Sequence, residues 1–419
     1  MKARFIILLL TTIGLSSIKA QNIYKPTGCS GSSGPNVSTA ILQHSQDRYQ
    51  LVSVKWSDIE TSPGVFSWTV LQSKINTVKN YNKKYALAVI AGGPGSPDWL
   101  MDSLNAPYMN YLFRGTISYR LPLWWDVIVQ QRLSFMISAL GTQFASDTSL
   151  ALVYVTQMTA NGIEGHLNGI SIPTLSNNGF TATNWINAVK QTAYYYAASF
   201  PAKAIAIEVH DIDGASIIPS TIINDLYNDS SLCQRVGAAL WWLSGKTTYQ
   251  PNLLTVLQNF PGDKYAQFIA RSDQPERFKD SSITTVFTQA KQLGVRYIEP
   301  WLYEYQNNTV DSLLQDFNDW SDTHFSTFDS CTPSILSGEK LITSAYNDML
   351  IYPNPVTTHL TLKYLGEKQE IEVINMLGEV VLEATIEGTT TILTSNLVKG
   401  TYFISFKGSA KSTLKFIKR

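Results

Sequence analysis

Leu150-Ala-Leu-Val-Tyr-Val-Thr-Gln-Met-Thr-Ala-Asn-Gly-Ile-Glu164-Gly-His166 joins a buried strand to a polar, glycine-flanked loop. Leu152 to Val155 is apolar, β-branched and aromatic, with no polar alternation. That is the pattern of a strand covered on both faces, as in a parallel sheet. The chain then turns small and polar through Thr156, Gln157, Thr159, Asn161 and Gly162. Glu164 stands between Gly162 and Gly165, just past the strand's carboxyl end. In α/β barrels that edge carries the chemistry. Glu164 is therefore the first candidate for a catalytic group, with a solvated loop glutamate as the competing reading.

On either side, strands alternate with helices. Residues 49–56 and 84–91 precede the stretch as strands, and 203–209, 238–243, 265–270 and 295–299 follow it. Helical spacing of apolar residues marks 69–80, 126–144, 185–200, 282–293 and 310–323. Gly294 is a stop signal for the fourth of these. Strands separated by helices of ten or more residues imply parallel β-α units. Seven strands are legible, and an eighth is expected in 22–28 or in the 101–125 insertion. The fold class is α/β, a (β/α)8 TIM-type barrel, in preference to an open doubly wound sheet. No Gly-x-Gly-x-x-Gly marks a strand–helix junction, which argues against a dinucleotide site.

The chain has 419 residues, with 32 basic and 32 acidic side chains. No long basic run is present, which argues against a nucleic-acid partner. Residues 1–20 read as a signal peptide: Lys2 and Arg4, an apolar core from Phe5 to Leu10, and a small-residue region ending at Ala20. That core is too short to span a bilayer, and no later run is long enough, so no transmembrane segment is expected. Of the three cysteines, Cys29 and Cys331 lie near opposite ends of the barrel region, and a bridge between them would close it. The five histidines form no ligand cluster in sequence, so neither a metal nor a cofactor is expected.

The domains expected are the signal peptide, the barrel at 21–325, a Ser-, Thr- and Asp-rich linker at 326–347, and a small all-β sandwich at 348–419. In the last, residues 351–355, 359–364, 371–375, 380–382, 391–393, 400–406 and 413–416 alternate with turns.

Val54-Lys-Trp-Ser-Asp-Ile-Glu60, Gly64-Val-Phe-Ser-Trp68 and Pro97-Asp-Trp-Leu100 resemble the barrel glycosidases of the large retaining clan, and most of all its β-galactosidase-like members. The resemblance implies an acid/base glutamate after the fourth strand and a nucleophile near the seventh. Carried over, these are Glu164 and Glu299, with Glu304 as a rival to Glu299. The clan places Asn immediately before its acid/base, whereas here Ile163 stands there and Asn161 lies three residues upstream. A retaining pair needs its carboxyls about 5–5.5 Å apart, an inverting pair about 6.5–9.5 Å. Trp99, Trp124, Trp125 and Trp301 are candidate sugar-stacking faces. Asp98, Arg120, Asn161 and His166 are candidate hydroxyl partners. Glu208, inside a strand, either points inward as a third acid or pairs with a buried base.

Tyr352-Pro-Asn-Pro355, Asn375-Met-Leu-Gly378, Asn396-Leu-Val-Lys-Gly-Thr-Tyr402 and Lys415-Phe-Ile-Lys-Arg419 closely resemble the C-terminal sorting domain of the type IX secretion system of Bacteroidota. That implies export, with the secretion machinery as a partner and release or attachment at the outer cell surface. Together these readings point to a secreted or cell-surface glycoside hydrolase acting on an extracellular poly- or oligosaccharide. The alternatives are a non-catalytic glycan-binding barrel and a surface structural protein.

Overall fold

The computed structural model describes residues 21–308, 310–331, 349–352, 356–364, 368–407 and 414–419. The expected signal segment, residues 332–347 of the expected linker and Pro353–Pro355 of the sorting motif lie outside them.

Eight parallel strands close into a barrel. They are β1 (Gly28–Gly31), β2 (Tyr49–Lys55), β3 (Lys84–Ile90), β4 (Leu150–Tyr154), β5 (Ala204–Glu208), β6 (Val236–Leu243), β7 (Lys264–Phe268) and β8 (Tyr297–Glu299). From β2 onward each strand is followed by a principal helix. These are α1 (Thr69–Asn80), α2 (Val127–Phe144), α3 (Ala182–Ser199), α4 (Ile217–Asn228), α5 (Pro251–Asn259), α6 (Thr284–Leu293) and α7 (Asp311–His324). Local chemistry sets their ends. Asp126 caps α2 by accepting from the Ile128 backbone N–H, and Thr181 caps α3 by accepting from Asn184. Gly294 ends α6 at φ 68°, a left-handed value that costs a glycine little.

Strand parity divides the core. Tyr85, Leu87 and Val89 of β3 pack outward in the large cluster shared with the helices. Ala86 and Ala88 point inward with Leu152, Tyr154, Ala204, Ala206, Ala239, Tyr265 and Tyr297. Alanines face tyrosines across the lumen, so the barrel is filled rather than hollow. The same parity carries Glu208, Gln267 and Glu299, each two residues beyond an inward neighbour, to the inside of the carboxyl rim.

The missing strand is β1, Gly-Cys-Ser-Gly, which has no bulky side chain to betray it. A Cβ on Gly31 would overlap the Ile41 side chain, so the small residue is required by packing. The 101–125 insertion is not a barrel strand but a hairpin, Tyr108–Phe113 with Ile117–Pro122. It builds a separate small core with Ala160, Ile170 and Leu175 of the loop after β4.

Gln21–Tyr24 pairs antiparallel with Phe328–Cys331, so the first residues assigned to the linker form a strand that returns to the chain's start. Below them Asp263 bridges Lys25 at 2.7 Å and Arg296 at 2.5 Å. The Cys29–Cys331 bridge that the sequence left open is not formed: Cys29 is a buried free thiol, and Cys233 is disulfide-bonded. Parity is the reason. It turns Cys29 outward against α7, where its Sγ lies 3.5 Å from the Leu314 carbonyl.

The C-terminal module is two antiparallel sheets. One has three strands, Met349–Tyr352, His359–Tyr364 and Thr389–Leu393. The other has four, Val380–Ile386, Gln369–Asn375, Gly400–Phe406 and Leu414–Lys418. Leu360, Leu362, Val373, Ile404 and Phe416 are fully buried in its core. Among the described residues no helix is long and apolar enough to cross a membrane.

Candidate active site

The loop after β4 is shaped by close backbone approach. Gly162, at φ 84°, lies so near the Ala91 carbonyl that a Cβ would overlap it. Its own carbonyl accepts from Ala91 N–H at 3.0 Å. Asn161 then forms a turn, its Oδ1 accepting from Glu164 N–H at 3.0 Å and from Ile163 N–H at 3.3 Å. Its Nδ2 donates to Glu164 Oε1. The residue expected to meet a sugar hydroxyl therefore aims the glutamate.

Glu164 retains 24% side-chain exposure, and Glu208 at the end of β5 has none. Glu208 accepts from Gly165 N–H at 2.6 Å and from Trp241 N–H at 3.1 Å, and it shares a hydrogen bond with His210 Nδ1 at 2.9 Å. Glu208 thus points inward and pairs with a histidine and two amides rather than with Lys or Arg. His166 Nε2 lies 4.0 Å from Glu164, and the His166 and His210 rings meet edge to face at 5.4 Å. The two rings come from two loops that only barrel closure joins. Glu164, Glu208 and His210 bring one potential metal donor each within 4.8 Å of one another. Glu208's oxygens and His210 Nδ1 are, however, already engaged with each other and with backbone N–H groups.

Burial, then the Glu208 charge, pushes Glu164 up to about 7. Burial lowers His166 to about 3 and His210 to about 4, so both rings are neutral at pH 7. One partly exposed carboxyl thus holds its proton near neutrality, as a general acid must.

Glu299 lies on the eighth strand, fully buried. Tyr154 and Tyr297 donate to its Oε1 at 2.9 and 2.8 Å, and Gln267 donates to Oε2 at 3.0 Å. The Glu299 and Glu164 carboxyls share no hydrogen-bond partner among the described residues. Burial raises Glu299 to about 7 as well, against those three hydrogen bonds. A carboxyl raised from 4.5 to about 7 by folding stabilises the native state in acid and loses that contribution as pH climbs between those values. Glu299→Gln should therefore flatten the fall of Tm over this window, measured by thermal melts at pH 4.5, 6 and 8. An unchanged pH slope would contradict this.

The other expected contacts disperse. Trp124 is buried, its Nε1 donating to Thr192 on α3, and Trp125 packs edge to face with Phe180. Trp99 donates to the Glu60 carbonyl at 3.0 Å, and Trp301 to the Phe268 carbonyl at 2.7 Å. Arg120 pairs with Asp98 at 2.6 Å and with Asp102, on the surface. Glu304 is buried and accepts from Ser272 N–H at 2.7 Å. Beside the Glu164 cluster opens a cavity of about 920 Å³, lined by His166, Asn168, His210, Asp211, Tyr249 and Gln250 among others. Of the expected residues only His166 lines it. His210, Asp211 and Tyr249 went unread, although the first two lie just past the carboxyl end of a legible strand.

Residues 350–419 match the family described as the secretion system C-terminal sorting domain. That module marks the chain for export, to the cell surface or outside. A comparison of the whole sequence with curated proteins finds no match. Among solved structures, the chain is similar to the catalytic domain of β-amylase from Paenibacillus polymyxa, at 10% identity and TM-score 0.49, covering 73% of this chain and 100% of that one. It is similar to an endo-β-1,4-glucanase from Xanthomonas axonopodis pv. citri at 9% identity and TM-score 0.43, covering 66% and 88%. It is also similar to xylanase 10B from Thermotoga maritima at 8% identity and TM-score 0.41, covering 66% and 82%. These likenesses are loose ones of fold, and the function is argued from the site itself.

Proposed function

We propose that the protein is an exported glycoside hydrolase in which Glu164 protonates the leaving oxygen of an extracellular poly- or oligosaccharide. The observation that carries this is a single partly exposed carboxyl, held near pKa 7 at the carboxyl rim of a (β/α)8 barrel, beside a large open cavity. The lining supports a polyhydroxylated ligand. Asn168, Gln250 and Asn252 offer amides, Asp211 and Asp213 carboxylates, and Tyr249 an aromatic face. Glu299 is left out of the reacting groups, because a carboxylate with no exposed surface and both oxygens bonded does not reach an anomeric carbon.

A second reading, a glycan-binding barrel without turnover, is favoured by one observation: Glu208, the acid nearest Glu164, is sealed off as well. Purified full-length protein tested on a panel of soluble polysaccharides separates the two. Release of reducing ends supports the hydrolase. Binding by calorimetry without release supports the second reading. Neither binding nor release overturns both and leaves a structural surface protein.

A further inference from the structure

Cleavage of a glycosidic bond needs a second group opposite the acid, to attack the anomeric carbon or to activate water. The acids nearest to hand fail on access. Glu208 and Glu299 have no exposed side-chain surface and their oxygens are hydrogen-bonded. Glu304 is equally buried, on the Ser272 amide. Two acids do open to the cavity, Asp211 and Asp213. Asp213 sits on an exposed turn at φ 54°, beside Gly214.

Asp211 is held differently. It follows His210 at the rim of β5, and its backbone N–H donates to Gln250 Oε1 at 2.6 Å, which pins the loop after β5 to the start of α5. It lines the cavity, yet its Oδ1 is shielded from bulk water and has no hydrogen-bond partner among the described residues. A carboxylate oxygen left without a partner at a cavity wall is where a small shift of the rim would admit a water or a sugar hydroxyl. Its place relative to Glu164 also fits. Its chain neighbour His210 lies within 4.8 Å of Glu164, donor atom to donor atom. His166 and His210, the two rings beside Glu164, line the same cavity as Asp211, and among the described residues no hydrogen bond or ion pair links the two carboxyls.

We propose that Asp211 is the second catalytic carboxylate of this site, acting as the base that activates water, so that hydrolysis inverts the anomeric configuration. The inference rests on the reading of Glu164 as the acid. In the step, the Asp211 carboxylate takes a proton from water and the water oxygen bonds to the anomeric carbon. The bond from that carbon to the leaving oxygen breaks, and Glu164 gives its proton to that oxygen. Asp211 ends protonated and Glu164 ionised, and exchange with solvent restores both. No oxidant or metal enters. The retention implied by the sequence resemblance is replaced by inversion.

The test uses the full-length protein on whichever polysaccharide of the panel it degrades. Proton NMR of the first product formed, before mutarotation, should show the inverted anomer. Asp211→Asn should lower kcat by on the order of 10³-fold with KM changed only a few-fold, and with an unchanged far-UV spectrum and Tm. Azide added to Asp211→Ala should yield a glycosyl azide of inverted configuration. A retained anomer from the parent protein overturns the proposal, whatever the variants do. Asp211→Asn turnover within tenfold of the parent, while Glu164→Gln is inactive, overturns the Asp211 assignment and leaves Glu164 standing. A parent protein that cleaves nothing on the panel overturns the hydrolase reading and this inference with it.

Discussion

Glu164→Gln should lower turnover of a polysaccharide by on the order of 10³-fold, because a positioned general acid contributes about 10²–10⁴. Glutamine keeps the shape, and its side-chain oxygen can still accept from Asn161 Nδ2, so folding is not the cause of the loss. The pH profile gives the sharper test. The acid works only while protonated, and Glu164 holds its proton up to about 7. The parent's kcat/KM should therefore fall as pH rises through about 7, and in the variant this limb should vanish. Groups facing Glu164 set its position: Glu208 raises it, while His210, Asn161 and Arg114 lower it. Removing the like charge with Glu208→Gln should thus move the limb to lower pH. Leaving-group dependence checks the role independently. An aryl glycoside whose phenol leaves without a proton should be hydrolysed by Glu164→Gln far better, relative to the parent, than a polysaccharide is. Equal losses on both substrates, or a surviving alkaline limb, would remove Glu164 from the acid's role.

What the sequence made legible follows from burial on both sides of a sheet. Runs such as Lys84–Ile90 and Leu150–Tyr154 are apolar without alternation because the lumen takes alanine and tyrosine while the helices take leucine and valine. Five of the seven principal helices were legible because each packs one apolar stripe, as Leu71, Ile75 and Val78 do on α1, whereas Ile217–Asn228 and Pro251–Asn259 went unread. Gly28–Gly31 escaped because its strand is defined by what it lacks: bulk there would collide with Ile41. The site was legible only in part. Glu164 could be placed by its loop, but its neighbours Glu208 and His210 arrive from the next strand, and strand parity alone gives a direction without a depth. Glu299 shows the same limit. Parity sends it inward behind Tyr297, and only the closed barrel brings Tyr154, Tyr297 and Gln267 over it. Adjacent tryptophans mislead for a related reason. Trp124 buries its ring against Trp185 and donates to Thr192, both on α3, so its bulk serves helix packing rather than a ligand.

Arg132→Met should be the most destabilising single change in the barrel wall. Glu60, just after β2, and Arg132 on α2 form a buried ion pair whose members have side-chain exposures of 0% and 3%. Trp56 Nε1 donates to Glu60 Oε2 at 2.7 Å, and Gly64 N–H donates to Oε1 at 2.9 Å, so the carboxylate ties the turn after β2 to α2. The Arg132 guanidinium lies over the Phe135 ring at 4.5 Å and over Trp99 at 5.2 Å. Methionine can fill much of that space but leaves a carboxylate in a dry site, a loss of about 3–5 kcal/mol. The cost should depend on pH. Burial already raises Glu60 above its ordinary value, with Arg132 the chief opposing influence. Without the cation the folded-state value climbs further, so the variant loses stability as pH rises above the ordinary glutamate value and recovers in acid, where Glu60 is neutral. Urea unfolding at pH 5 and pH 8 measures both effects. Adding Glu60→Leu to Arg132→Met should restore most of the loss, since a matched apolar pair can replace a buried ion pair. A single variant that costs under about 1 kcal/mol at both pH values would mean that relaxation or water reaches Glu60. The motif containing Trp56, Glu60 and Trp68, which suggested a glycosidase in the sequence, would then need an account other than the fastening of this turn.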